Sequence, residues 1–204
     1  MKIGNSLKAD TGYKIDFSRI DNPVEALLVP PVDAVAITNV DKAQGTIKSR
    51  GDSFEFDYQT KGTLSKPKLE FKREGRKSQL KISPKGFSAH LQGNFEESPV
   101  NLTLGASFGG FELSGQVGEV EIKEEISLGN PLFGGPVLTS EGEIGGLEYE
   151  EKFYVAEDNT LVSKGHLGDM EVSRKVSEEK GRRKIEGHIG DIEFQEDLKI
   201  KRTK

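Results

Sequence analysis

The stretch Gly187-His188-Ile189-Gly190-Asp191-Ile192-Glu193-Phe194 decides the fold. Its central Gly-Asp pair suits a two-residue turn that needs positive φ, and the apolar residues on either side alternate with polar ones, so the chain reads as a β-hairpin tip. The same pattern occurs three more times, as Gly115-Gln116-Val117-Gly118-Glu119-Val120-Glu121-Ile122, Gly142-Glu143-Ile144-Gly145-Gly146-Leu147-Glu148-Tyr149 and Gly165-His166-Leu167-Gly168-Asp169-Met170-Glu171-Val172. Folding each segment about its central pair opposes Ile189 to Ile192 and sets a glycine across from a large or β-branched side chain. The pairs are Gly115 with Ile122, Gly142 with Tyr149, Gly165 with Val172 and Gly187 with Phe194. A bulky residue folding over bare backbone covers strand glycines, and its recurrence in four hairpins argues for the register.

Outward from these tips, alternation with a period of two continues in both directions. Phe87, Ala89, Leu91, Gly93 and Phe95 share one face, as do Val100, Leu102, Leu104, Ala106 and Phe108. Phe54, Phe56 and Tyr58, Leu69 and Phe71, and Leu80 and Ile82 follow the same rule. Helical periodicity is nearly absent. The one candidate is Asn22 to Leu28, with Asn22 as cap and Pro23 in the first turn, stopped by Pro30-Pro31. The spacing predicts roughly fourteen to sixteen short strands at ~12 residues per strand and turn. The expected fold is therefore all-β: a mostly antiparallel meander of repeated hairpins that forms a closed or partly closed barrel, with a two-layer sandwich as the alternative. A very wide barrel is disfavoured because its interior would be a water-filled channel. The chain is expected to be a single domain over 1–204, with a possible subdivision near 98.

Composition narrows the function. Of 204 residues none is Cys or Trp, which excludes a disulfide framework, thiolate metal sites and cysteine nucleophiles. The opening residues lack the apolar run of a secretory signal and no window is apolar enough to span a membrane as a helix, so a soluble cytoplasmic protein is expected. A membrane barrel would need aromatic girdles, and four Tyr without Trp do not supply them. A 31% charged composition rich in Lys and Glu leans toward heat-adapted proteins. The net charge of −5 is unevenly laid out. Residues 65–86 carry 8 basic and 2 acidic side chains, and residues 96–158 carry 14 acidic and 2 basic. Basic residues beside Phe71 and Phe87 could suit nucleic acid, but the acidic chain as a whole argues against it. A solvated face, or a dock for the acidic region of a second copy in a homo-oligomer, fits better.

Two constellations could carry chemistry. If neighbouring hairpins pair in phase, Glu143, Glu148, His166, Glu171, His188 and Glu193 form a polar row across the strands. His166, Glu171, His188 and Glu193 are its candidate metal ligands, although a flat row converges poorly on a tetrahedral ion and cross-strand pairing explains it as well. The second lies on the apolar face, where Glu124, Glu151, Arg174 and Glu196 each interrupt an apolar series at the same place. These four are candidate ligand anchors, with Ser163 between Glu151 and Arg174. A β-bulge at each site would instead turn the charge into water, and an inward charge can also serve to block edge pairing. Phosphate loops, nucleophile elbows and dinucleotide fingerprints are absent, so no catalytic residue and no cofactor is assigned. The leading expectation is a non-enzymatic module that holds a small amphipathic ligand on its apolar face. The alternatives are an acid–base or metal-dependent enzyme using the inward charges or the His–Glu row, and a self-associating scaffold.

Overall fold

The structure is a computed structural model that describes residues 19–28, 40–49, 52–63, 66–73, 76–85, 88–130 and 135–200. One short helix, α1 (Pro23–Leu28), precedes fourteen strands. These are β1 (Val40–Ser49), β2 (Asp52–Thr63), β3 (Lys66–Arg73), β4 (Arg76–Lys85), β5 (Ser88–Phe95), β6 (Ser98–Ser107), β7 (Gly110–Val117) and β8 (Val120–Leu128). They continue with β9 (Leu138–Ile144), β10 (Leu147–Val155), β11 (Leu161–Leu167), β12 (Met170–Glu179), β13 (Arg182–Ile189) and β14 (Ile192–Ile200). Each strand pairs antiparallel with its neighbours in sequence, and β1 pairs with both β2 and β14, so the sheet runs round a closed ring. Hydrogen bonding passes through position 98 without a break, because β5 pairs with β6.

The hairpin register follows the glycine rule. Gly115 faces Ile122, Gly142 faces Tyr149, Gly165 faces Val172 and Gly187 faces Phe194. Among the tips, Gly118, Gly168 and Gly190 have φ near 60° while the second turn residue stays negative, as a type II′ turn requires. At Gly145-Gly146 both φ values are positive, the type I′ signature.

Joining the hairpins exposes a regular stagger. The first turn residue of one tip donates its N–H to a carbonyl one strand back. Gly118 bonds to Pro99, Gly145 to Glu121, Gly168 to Glu148 and Gly190 to Glu171, at 2.7–2.8 Å. Glu124 faces Gly142, which faces Tyr149; the corresponding charge, Glu151, lies two residues further on and faces Gly165. The same step leads from Val172 to Arg174 opposite Gly187, and from Phe194 to Glu196 opposite Gly45. It continues through Tyr58, Leu80 and Leu102 back to Ile122 and Glu124. The ring thus holds seven two-strand units, each displaced by two residues, a total stagger of fourteen for fourteen strands. A stagger equal to the strand number tilts the strands by roughly 35–45°. In-phase pairing, the condition for a continuous row of polar side chains across the tips, is not met; closure of the cylinder requires the stagger instead.

A barrel this wide was also disfavoured on the ground that water would fill it. Residues 19–28 answer that objection at one end. Every residue of α1 is buried, with Val24 and Ala26 at 0–1% exposure, and Ile20 just ahead of the helix is fully buried. Asn22 caps the helix as expected, its Oδ1 accepting from the Glu25 N–H at 3.0 Å. The segment is fastened to the hairpin tips. The Ile20 N–H donates to Ser98 Oγ at 2.7 Å, the Ile20 carbonyl accepts from the Glu119 N–H at 3.0 Å, and Arg19 pairs with Glu119. Around it lie Val117, Val120, Ile144, Leu167, Ile189 and Ile192, all within 2% of full burial. This is the closed end of the barrel.

Candidate functional site

The inward charges sit just beyond that apolar layer. On β8 the inward series runs Val120, Ile122, Glu124, Ile126 and Leu128, and on β10 it runs Tyr149, Glu151, Phe153 and Val155. No register shift interrupts the pairings of β8 to β13, so the bulges that would have turned these charges outward are not there. Glu124 and Glu151 are buried, the latter with no exposed surface.

Glu151 is the centre of a polar cluster. One oxygen accepts from the Tyr149 hydroxyl at 2.5 Å, and the other accepts from Ser163 Oγ and lies 3.2 Å from Arg174 Nε. The Arg174 guanidinium carbon lies 5.9 Å from the centre of the Phe194 ring, within cation–π range. Arg174 and Glu151 stand two strands apart, and the stagger with two glycines makes their contact possible. Gly165 faces Glu151 and Gly187 faces Arg174. A Cβ at Gly165 would lie 1.8 Å from the Glu150 carbonyl oxygen, and one at Gly187 would meet the Ser173 carbonyl and the Phe194 ring. Only bare backbone allows the strands to approach this closely there. Burial, reinforced by the Glu151 charge, pushes the Tyr149 hydroxyl well above the usual tyrosine range. The hydroxyl therefore stays protonated and donates to the carboxylate.

A second pair extends the belt: Ser140 Oγ donates to Glu124 Oε2 at 2.8 Å. Ser140 faces Glu151 across β9 and β10, so the two pairs are adjacent. Glu196 lies on β14 opposite Ile185 and Gly45 and is half-buried. Of the four candidate anchors the structure joins Glu151 to Arg174, sets Glu124 beside them and places Glu196 two strands beyond Arg174. Sequence reading missed Ser140 and Tyr149 as members. The signal was available, since both share the inward face with the charges.

The candidate metal ligands fare differently. His166 faces Glu171 and Glu150, whereas His188 faces Glu193 and Ser173, whose hydroxyl lies 2.9 Å from His188 Nδ1. The two-residue stagger splits the expected row into separate pairs, so His166, Glu171, His188 and Glu193 do not converge. Among the described residues no group of three or more His, Asp or Glu side chains could hold a metal ion.

Past the belt the interior opens. Leu128 is 64% exposed, Val155 57% and Phe111 43%, although each occupies an inward position on its strand. Half-buried Leu138 stands opposite Leu128 and half-buried Leu161 opposite Val155, while Ile126 and Phe153, also half-buried, lie between these pairs and the belt on their strands. The described interior is therefore layered: an apolar closed end sealed by residues 19–28, a polar belt, and an apolar mouth. Among the described residues no helix is long and apolar enough to cross a membrane. No protein-family model matches the chain, nor does any curated protein or any solved structure.

Proposed function

We propose that the barrel is a non-enzymatic carrier of a small amphipathic molecule, admitted through the open mouth. The apolar part of the ligand rests against the mouth residues, and its polar group reaches the belt of Glu124, Glu151, Arg174 and Glu196. The observation that supports this reading is that, among the described residues, the exposed inward apolar side chains all lie at one end. Leu128 and Val155 face the lumen yet meet solvent, while Ile144, Leu167 and Ile189 at the other end are fully buried. A concave apolar wall with a few polar groups at its floor is the usual form of a small-molecule site. The Tyr149 and Ser163 hydroxyls and the Arg174 guanidinium already engage Glu151, which supports a fixed polar floor beneath a bound ligand.

Native mass spectrometry of untreated protein tests the proposal, with a bound molecule of a few hundred daltons expected at one per chain. A fluorescent long-chain amphiphile added to stripped protein should bind at one site, and Leu128→Asp should weaken it at least tenfold. An empty protein that also ignores the amphiphile would end the carrier reading.

A further inference from the structure

We infer that the molecule taken by the lumen is a cationic amphiphile, an ammonium group on an apolar chain, and that anionic amphiphiles such as fatty carboxylates are rejected. The inference rests on the carrier reading and adds to it the sign of the ligand's charge. The described inward positions divide by strand. On β5 to β7 they carry no charge, and Leu91, Leu102 and Leu113 are buried there. On β8 to β14 four carboxylates (Glu124, Glu151, Glu178 and Glu196) and two guanidiniums (Arg174 and Arg183) take inward positions. Four negative charges against two positive leave the described wall with an excess of two negative.

The guanidiniums are already held. Arg174 Nε lies 3.2 Å from Glu151 Oε1, and its guanidinium carbon lies 5.9 Å from the centre of the Phe194 ring. Nearer the mouth, Arg183 Nη2 lies 3.2 Å from Glu178 Oε2, and the two residues are directly opposed across β12 and β13. An anionic headgroup would have to take a guanidinium from one of these carboxylates, and the displaced carboxylate would then be stranded in a poorly solvated interior. A cationic headgroup requires no such exchange and supplies the sign that the wall lacks. Its acceptor is Glu196. Glu124 and Glu151 are closed over, at 4% and 0% exposure, whereas Glu196 is half-buried at the same layer. A carboxylate accepts up to about four hydrogen bonds, so Glu196 takes an ammonium without giving up a neighbour. The ligand's chain then lies along the apolar mouth residues that the carrier reading assigns to it.

Competition against a neutral dye, phenylnaphthylamine, tests the inference with three ligands of one chain length: dodecylamine, dodecanol and dodecanoate. Dodecylamine should displace the dye at a concentration at least tenfold lower than dodecanoate, with dodecanol between them. The preference should persist at high salt, which screens the attraction of an amine to the acidic surface but not to a lumen site. Glu196→Gln, with its fold checked by circular dichroism, should reduce the preference for the amine at least fivefold. Glu141→Gln removes the same formal charge from the exposed outer face of β9 and should leave that preference intact. Equal displacement by the three ligands, stronger displacement by dodecanoate, a preference lost at high salt, or one that survives in a folded Glu196→Gln variant would overturn the cationic assignment and leave the carrier reading in place. A protein that binds neither the dye nor any of the three ligands would overturn both.

Discussion

Glu151 has no exposed surface, yet it keeps a charge partner in Arg174 and hydroxyl donors in Tyr149 and Ser163. Burial of such a pair is costly, and removing one member strands the other. Arg174→Ala should therefore lower unfolding free energy by about 3–5 kcal/mol in urea titration. Replacing both partners, Glu151→Leu with Arg174→Met, should recover most of that loss, because two apolar residues of similar size leave no uncompensated charge. A double variant as unstable as Arg174→Ala would show that the belt holds more than this pair. Tyr149 sets an alkaline limit. Its folded pKa lies above the unfolded value near 10, so its contribution is intact below about pH 10 and is lost as pH rises beyond. Ultraviolet titration should show one tyrosine that ionises only with unfolding, and Tyr149→Phe should abolish that step.

At the scale of elements, α1 is too short to hold itself together in water, so its order derives from what it seals. Leu27 is 4% exposed against the closed-end core. Leu27→Ala should cost about 2–5 kcal/mol, whereas Asn22→Ala, which removes only the cap, should cost about 1 kcal/mol. Similar losses for the two in thermal denaturation would mean that the segment is not part of the cooperative core. The helix was legible because Asn22, Pro23 and the following proline pair mark both its ends. The hairpins were legible for the same local reason: a Gly-Asp pair between alternating residues specifies turn, face and register together. What escaped sequence reading was the register between hairpins. Alternation determines which face a residue takes but permits any even slip along the neighbouring strand. The clue lay in Glu178-Glu179-Lys180-Gly181. Placing the turn at Lys180-Gly181, where both φ values are positive, sets Arg174 opposite Gly187 by counting, and the row of histidines and glutamates then falls apart.

For the whole molecule, the stagger of two residues per hairpin matters because it accumulates to a full closure between β14 and β1. A closed ring leaves no unpaired strand edge, and none of its seven units can bury its inward face without neighbours. Ile192 and Phe194 on β14 are 2% and 7% exposed, and each contributes about 1.5–3 kcal/mol of burial. Removing residues 192–204 would forfeit that burial and also open edges on β13 and β1. The truncated chain should lose cooperative unfolding, bind a hydrophobic dye and aggregate. A circular permutant provides the control. Joining residue 204 to residue 1 by a flexible linker and reopening the chain between Asp158 and Asn159 cuts an exposed turn while keeping all fourteen pairings. That permutant should unfold within about 1 kcal/mol of the parent, since loop entropy changes slowly with length. If the truncation instead unfolded cooperatively with a small loss, the ring would not be the unit of stability, and the lumen could not depend on closure for its shape.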